Sequence, residues 1–91
     1  MAGKTKSGWR VGTNYLVRTV THYYTGKLLA NADGVLTLGE AAWIADTGRF
    51  SVALADGVLN EVEPYPGEVL VMIGAVVDAC EWKHPLPRER K

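Results

Sequence analysis

The residues best suited to chemistry lie in the stretch RTVTHYYTGKLL, at positions 18–29. The stretch is rich in β-branched and aromatic residues, which favours a β-strand. Alternate side chains of a strand point to one face, so Arg18, His22 and Tyr24 are predicted to share a face and Tyr23 to lie on the other. A guanidinium, an imidazole and a phenol can together hold a phosphate and stack on a base. The alternative is that Arg18 pairs with an acid and His22 only packs.

A second group of candidates follows in WIADTGR, at positions 43–49. Arg49 is predicted in the first turn of a helix, where a cation is unfavourable unless an anion binds at the helix N-terminus. Asp46 is interpreted as a turn residue rather than a general acid or base, and Trp43 as core, interface or stacking platform. The predicted ligand-binding residues are Arg18, His22, Tyr24, Trp43, Asp46, Thr47 and Arg49.

Signatures of catalysis and of metal binding are missing from the sequence. It contains no phosphate-binding loop, dinucleotide fingerprint or nucleophile elbow, and its two histidines, His22 and His84, are far apart and have no cysteine cluster near them. The single cysteine, Cys80, lies in an apolar run and is predicted to be a buried structural thiol. We therefore expect no enzyme activity, no cofactor and no metal.

Turn-forming and helix-capping residues predict the strands and the helix that position these side chains. Gly26 predicts a bulge or bend, and Asp33-Gly34 predicts a hairpin turn. Thr47 is the predicted N-cap of one short helix at about residues 48–55, with Gly57 as its C-terminal glycine. The fold class is mainly β: a small, highly curved sheet or barrel of five to six strands with that one helix.

The chain of 91 residues predicts one β-barrel-like domain at residues 14–82, between a flexible basic arm (1–13) and an extended basic tail (83–91). Val69 to Val77 are apolar on both alternating faces, so both faces are expected to be covered. A chain this small has little core of its own. A chain of this size can cover only one central strand on both faces, so the second apolar-tolerant strand, the opening one, is expected to pack on a second copy, which makes the protein a homo-oligomer.

The charge distribution limits the partners. Residues 1–10 and 82–91 each carry a net charge of +3, whereas residues 11–81 carry nine acids against Arg18, Lys27 and Arg49. Nucleic acid is an unlikely partner because nonspecific binding needs clustered cations on the folded part. Lys27 is interpreted as a solvated strand end. No window is long and apolar enough for a membrane span.

Several segments of the chain resemble a group of small, functionally uncharacterised phage and prophage proteins. They are VRT at 17–19, the glycine at 26, VLTLGEAAWI at 35–44, LADG at 54–57 and EVLVMIGAVVDAC at 68–80. The chain departs from its relatives at Ala42, Ala45 and Asp46, where they carry an arginine and aromatic cluster. If those groups contact a ligand, this chain binds a different ligand or holds it differently.

By analogy, the resemblance implies a sponge, a noncatalytic phage protein that sequesters a nucleotide signal of bacterial anti-phage defence in the host cell cytoplasm. The small nucleotide ligand would be a cyclic oligonucleotide or an ADP-ribose derivative. Two alternatives stay open: a structural or protein-interaction module, such as a virion accessory or a protein inhibitor, and a nucleic-acid-binding barrel that uses its basic tails.

Overall fold

The computed structural model describes residues 8–91, and these form one antiparallel sheet with one helix. The mainly β fold class is therefore confirmed. The sheet has the strand order β4-β3-β2-β1-β6, with β5 also paired to β3, so it is not closed into a barrel. In chain order the elements are β1 (Asn14–Thr19), β2 (Tyr23–Ala32), β3 (Val35–Asp46), α1 (Phe50–Asp56), β4 (Glu61–Pro64), β5 (Val69–Met72), a 3₁₀ turn (Ile73–Ala75) and β6 (Val76–Glu81).

A tight turn separates β1 from β2 within the stretch that was expected to alternate. The Thr19 amide donates to the His22 carbonyl (2.7 Å), and the Thr19 hydroxyl accepts from the His22 amide (2.9 Å). Arg18 is then the cross-strand partner of Tyr23, and directly opposed residues share a face. The prediction that Arg18, His22 and Tyr24 share one face is therefore wrong, because the turn interrupts the period of two.

A bulge in the pairing of β2 with β3 lies at Gly26, as its glycine predicts. The register shifts between Thr25 and Lys27, and Glu40 on the opposing strand has a φ of 49°. The Asp33-Gly34 hairpin turn is also confirmed, with a positive φ at both residues. These two features bend the long pair of strands and set its register.

Replacing Gly26 with alanine should lower the free energy of unfolding by about 1–3 kcal/mol, the usual cost of overpacking. The added Cβ would lie 3.0 Å from the Leu38 Cβ and 3.3 Å from the Ala41 Cβ, in the interior of the sheet. Gly74→Ala is the matched control, because nothing lies within 4 Å of a Cβ there and the change should be neutral or slightly stabilising. Urea denaturation measures both, and equal stabilities would contradict the close packing at the bulge.

The helix lies slightly later in the chain than expected. It runs from Phe50 to Asp56 with Arg49 at the N-cap position, so the predictions of Thr47 as N-cap and of Arg49 in the first turn are wrong. Gly48, with a φ of 68°, keeps the preceding residues in a turn. The C-terminal glycine is confirmed, since Gly57 is left-handed and its amide donates to the Ala53 carbonyl.

Two apolar clusters lie on the two faces of the sheet. Alternate residues of β1 divide between them, with Tyr15 and Val17 in the first and Leu16 in the second. The helix and the residues after β6 cover the second cluster. The first contains Tyr15, Val17, Leu28, Leu36, Leu38, Ala41 and Val71, and the second Leu16, Ala42, Ile44, Ala53, Leu59, Val62 and Trp82.

The apolar run at residues 69–77 is covered on one face only. Val71 is buried, whereas the side chains of Leu70 (62% exposed), Met72 (51%) and Val77 (61%) face outward. The expectation that this chain covers both faces is wrong within residues 8–91, because no element packs on the second face. Cys80 is exposed, so the prediction of a buried thiol is also wrong.

Both ends of the described chain contact the sheet. The Trp9 ring contacts the Tyr15 ring edge-on, with centroids 5.1 Å apart. Of the flexible arm predicted at residues 1–13, residues 1–7 lie outside the part of the chain that the structure describes. The tail at 83–91 runs beside β4, and Lys91 exchanges two backbone hydrogen bonds with Val62 (2.9 and 3.2 Å). Leu86 packs against the second cluster. Within residues 8–91, no helix has the length and apolarity to cross a membrane.

Candidate functional site

The Arg18 side chain forms an ion pair with Asp78 on the adjacent strand β6. Its Nε donates to Asp78 Oδ1 (2.7 Å), its second terminal nitrogen bonds Asp78 Oδ2, and its guanidinium lies over the Phe50 ring at 5.3 Å. The hydrogen bonds to Asp78 raise the pKa of Arg18, and those from Arg18 lower the pKa of the Asp78 carboxyl. The alternative in which Arg18 pairs with an acid is therefore the one observed. Its charge is already balanced by a carboxylate.

Four of the seven predicted residues line one groove. The Trp43 groove, a depression of about 310 Å³, lies between the β1–β2 turn and the end of β3. The His22 and Trp43 rings have centroids 5.6 Å apart, and the Trp43 side chain is 37% exposed. The predicted ligand-binding residues that line this groove are His22, Trp43, Asp46 and Thr47.

Polar groups of the Trp43 groove are held by local hydrogen bonds. His22 Nδ1 lies 2.7 Å from the Thr21 hydroxyl. Asp46 Oδ1 accepts from the Gly48 amide (2.8 Å), and the Thr47 hydroxyl donates to the Gly48 carbonyl (2.7 Å). These bonds make Asp46 and Thr47 parts of a turn, in agreement with the interpretation of Asp46 as a turn residue. One wall of the groove is therefore formed by the His22 and Trp43 rings, and polar oxygen and nitrogen atoms lie at its edge.

The ring wall extends beyond the groove as a row of four aromatic residues, here called the aromatic row. His22 stacks on Tyr24 with centroids 6.0 Å apart, and Tyr24 meets Tyr65 at 6.2 Å. Burial, and then the neighbouring Tyr65 phenol, raises the pKa of Tyr24. The row contains Trp43, His22, Tyr24 and Tyr65, of which Tyr65 was not predicted.

A larger pocket adjoins the far end of the row. The Lys27–Arg88 pocket, of about 440 Å³, is lined by Lys27, Gly39, Glu40, Tyr65, Glu68 and Arg88 among others. The Arg88 guanidinium donates to the carbonyls of Ala41 (2.8 Å) and Tyr65 (3.0 Å). Neither cation was predicted as a site residue, because Lys27 has the sequence context of a strand end and Arg88 that of a solvated tail.

Arg49 lies outside both cavities. Arg49 is exposed at the start of α1, and it forms no ion pair within the part of the chain that the structure describes. The structure therefore brings His22, Tyr24, Trp43, Asp46 and Thr47 together and leaves Arg18 on the opposite face, beside Phe50.

Residues 8–91 contain no group of three side chains that could hold a metal ion. A scan against protein-family models finds no match for the chain, and a search of the curated proteins finds no similar sequence.

Proposed function

We propose that this protein binds a nucleotide-type ligand on the aromatic row and releases it unchanged. The observation that carries the proposal is the continuous contact of four rings from Trp43 to Tyr65, with centroid separations of 5.6 to 6.2 Å. Aromatic side chains on a sheet surface provide stacking platforms for bases, and each stack contributes about 1–3 kcal/mol. By analogy with the phage proteins that the sequence resembles, the proposed ligand is a signal of bacterial defence and the proposed role is its capture.

The groups in the Trp43 groove are already held in position by the protein itself. His22 contacts rings and the Thr21 hydroxyl, and Asp46 accepts a backbone hydrogen bond from Gly48. The local hydrogen bonds fix the walls of the groove, which reduces the ordering cost of binding.

A panel of cyclic dinucleotides, cyclic trinucleotides and ADP-ribose derivatives tests the proposal. At about 100 times its dissociation constant a ligand stabilises the folded state by about 2.7 kcal/mol. For a domain of this size that is a rise of roughly 10–20 °C in the melting temperature. Mass spectrometry of the ligand released by heating should show it intact. No shift with any member of the panel would refute the proposal, and a converted ligand would make the protein an enzyme.

A second copy of the chain is the proposed occupant of the exposed apolar face of β5. Leu70 and Met72 are paired in register with Thr37 and Val35, so their outward side chains form one surface with these β3 residues. Burying it would add the apolar area that a small chain lacks. Light scattering after size exclusion should give a multiple of 9.9 kDa, and Leu70→Lys should shift the mass toward the monomer. A monomer in the unmodified protein would contradict self-association and favour the protein-interaction alternative.

A further inference from the structure

The Lys27–Arg88 pocket is assembled from parts of the chain that are far apart in sequence. Lys27 comes from β2 just after Gly26, Glu40 from the bulged segment of β3 opposite Gly26, and Glu68 from the turn before β5. Arg88 comes from the tail. Tyr65 lines the pocket and also contacts Tyr24 of the aromatic row. The pocket is therefore continuous with the proposed base-binding surface.

Arg88 has a fixed position but an unbalanced charge. Two backbone carbonyls, those of Ala41 and Tyr65, hold its terminal nitrogens. Carbonyls orient a guanidinium without neutralising it, and no carboxylate lies within ion-pair distance of Arg88 among residues 8–91. An arginine positioned in this way has N–H groups left for an incoming anion.

Lys27 supplies the second charge of the pocket. Lys27 is half-buried, and like Arg88 it forms no ion pair with any described residue. The two carboxylates that share the pocket, Glu40 and Glu68, belong to exposed residues. Glu40 adopts a left-handed φ of 49°, which is unfavourable for a residue other than glycine and is common near functional sites.

We propose that Lys27 and Arg88 bind a phosphate group of a nucleotide whose base stacks on the aromatic row. The inference rests on the proposed function and names the anion subsite of that site. A phosphate matches the two cations by charge-assisted hydrogen bonds. The two glutamate carboxylates can accept hydrogen bonds from N–H groups of a ligand, and they repel additional negative charge. The pocket therefore suits a nucleotide with one accessible phosphate better than a bare polyanion.

Adenosine and adenosine monophosphate are the probes, titrated by NMR into the full chain and into Lys27→Met. The monophosphate should bind the unmodified protein roughly 10-fold more tightly than adenosine, as expected for a charged hydrogen bond. Lys27→Met should reduce that advantage several-fold, because only Arg88 then remains to contact the phosphate; adenosine is the reference that lacks the phosphate. Lys83→Met, which removes a cation from an exposed residue outside the pocket, is the matched control and should retain the advantage.

The outcomes separate the subsite from the function. Equal binding of both probes to the unmodified protein, or an advantage that is undiminished in Lys27→Met, would overturn the subsite and leave base stacking intact. Inorganic phosphate that shifts the Lys27 and Arg88 signals, with no binding of either nucleoside probe to the aromatic row, would support the subsite and refute the proposed function. Arg88→Met is a weaker test because it also detaches the tail from Ala41 and Tyr65.

Discussion

A chain that ends at Trp82 should have a free energy of unfolding about 2–4 kcal/mol below that of the full chain. Truncation removes the Leu86 side chain from the second cluster, the two Arg88 hydrogen bonds and the two backbone hydrogen bonds of Lys91 with Val62. Each net hydrogen bond contributes about 0.5–1.5 kcal/mol, and a buried leucine side chain up to about 3 kcal/mol. The conformational entropy that the tail loses on ordering offsets most of the contribution of these contacts, so the net effect is smaller than their sum.

Urea denaturation of the truncated and full chains measures the difference. The control is a full-length variant with Glu89→Gln and Arg90→Gln, which removes one negative and one positive charge from two exposed residues that form no ion pair within residues 8–91. It should be as stable as the unmodified protein. A truncated chain of undiminished stability would show that the tail does not contribute to the fold. Truncation is consequently a poor test of polyanion binding, and charge substitutions in the full chain are preferable.

Replacing Trp43 with alanine should weaken binding of the nucleotide ligand by roughly 10-fold or more. Loss of one base stack removes about 1–3 kcal/mol, and about 1.4 kcal/mol corresponds to a factor of ten in affinity. Stability should fall as well, because nearly two thirds of the Trp43 surface is buried and its ring contacts His22, so the affinity is compared where both proteins are folded. Isothermal titration calorimetry measures the affinity and urea denaturation the stability.

Val52→Ala is the matched control for Trp43→Ala. Val52 has a similar exposed fraction, 39% against 37%, and lies on α1 outside the Trp43 groove. Its truncation should leave the dissociation constant unchanged. A Trp43→Ala variant that binds as tightly as the unmodified protein would remove the aromatic row from the proposal.

Local turn chemistry explains why much of the fold was predictable. Asp33-Gly34, Gly26 and Gly57 have backbone or packing requirements that the sequence itself signals, and each has its expected role. The turn at residues 20–22 carries no such signal, because Val, Thr and His are ordinary strand residues. The resulting loss of alternation moved Arg18 to the opposite face from His22.

Non-local contacts explain what the sequence could not predict about the site. Tyr65 joins Tyr24 from a loop more than 40 positions later, and Arg88 reaches β3 from the tail. Neither residue has a distinctive local pattern. The groove residues Asp46 and Thr47 were found because they lie close in sequence to Trp43, and their meeting with His22 depends on the pairing of β2 with β3.

The most direct test of nucleotide binding is an NMR titration of the full chain with the panel member that stabilises it most. The account predicts that the largest chemical-shift changes fall on His22, Tyr24, Trp43 and Tyr65, at one shared dissociation constant. Changes centred on Arg18 and Phe50, on the opposite face of the sheet, or no saturable change at all, would contradict it.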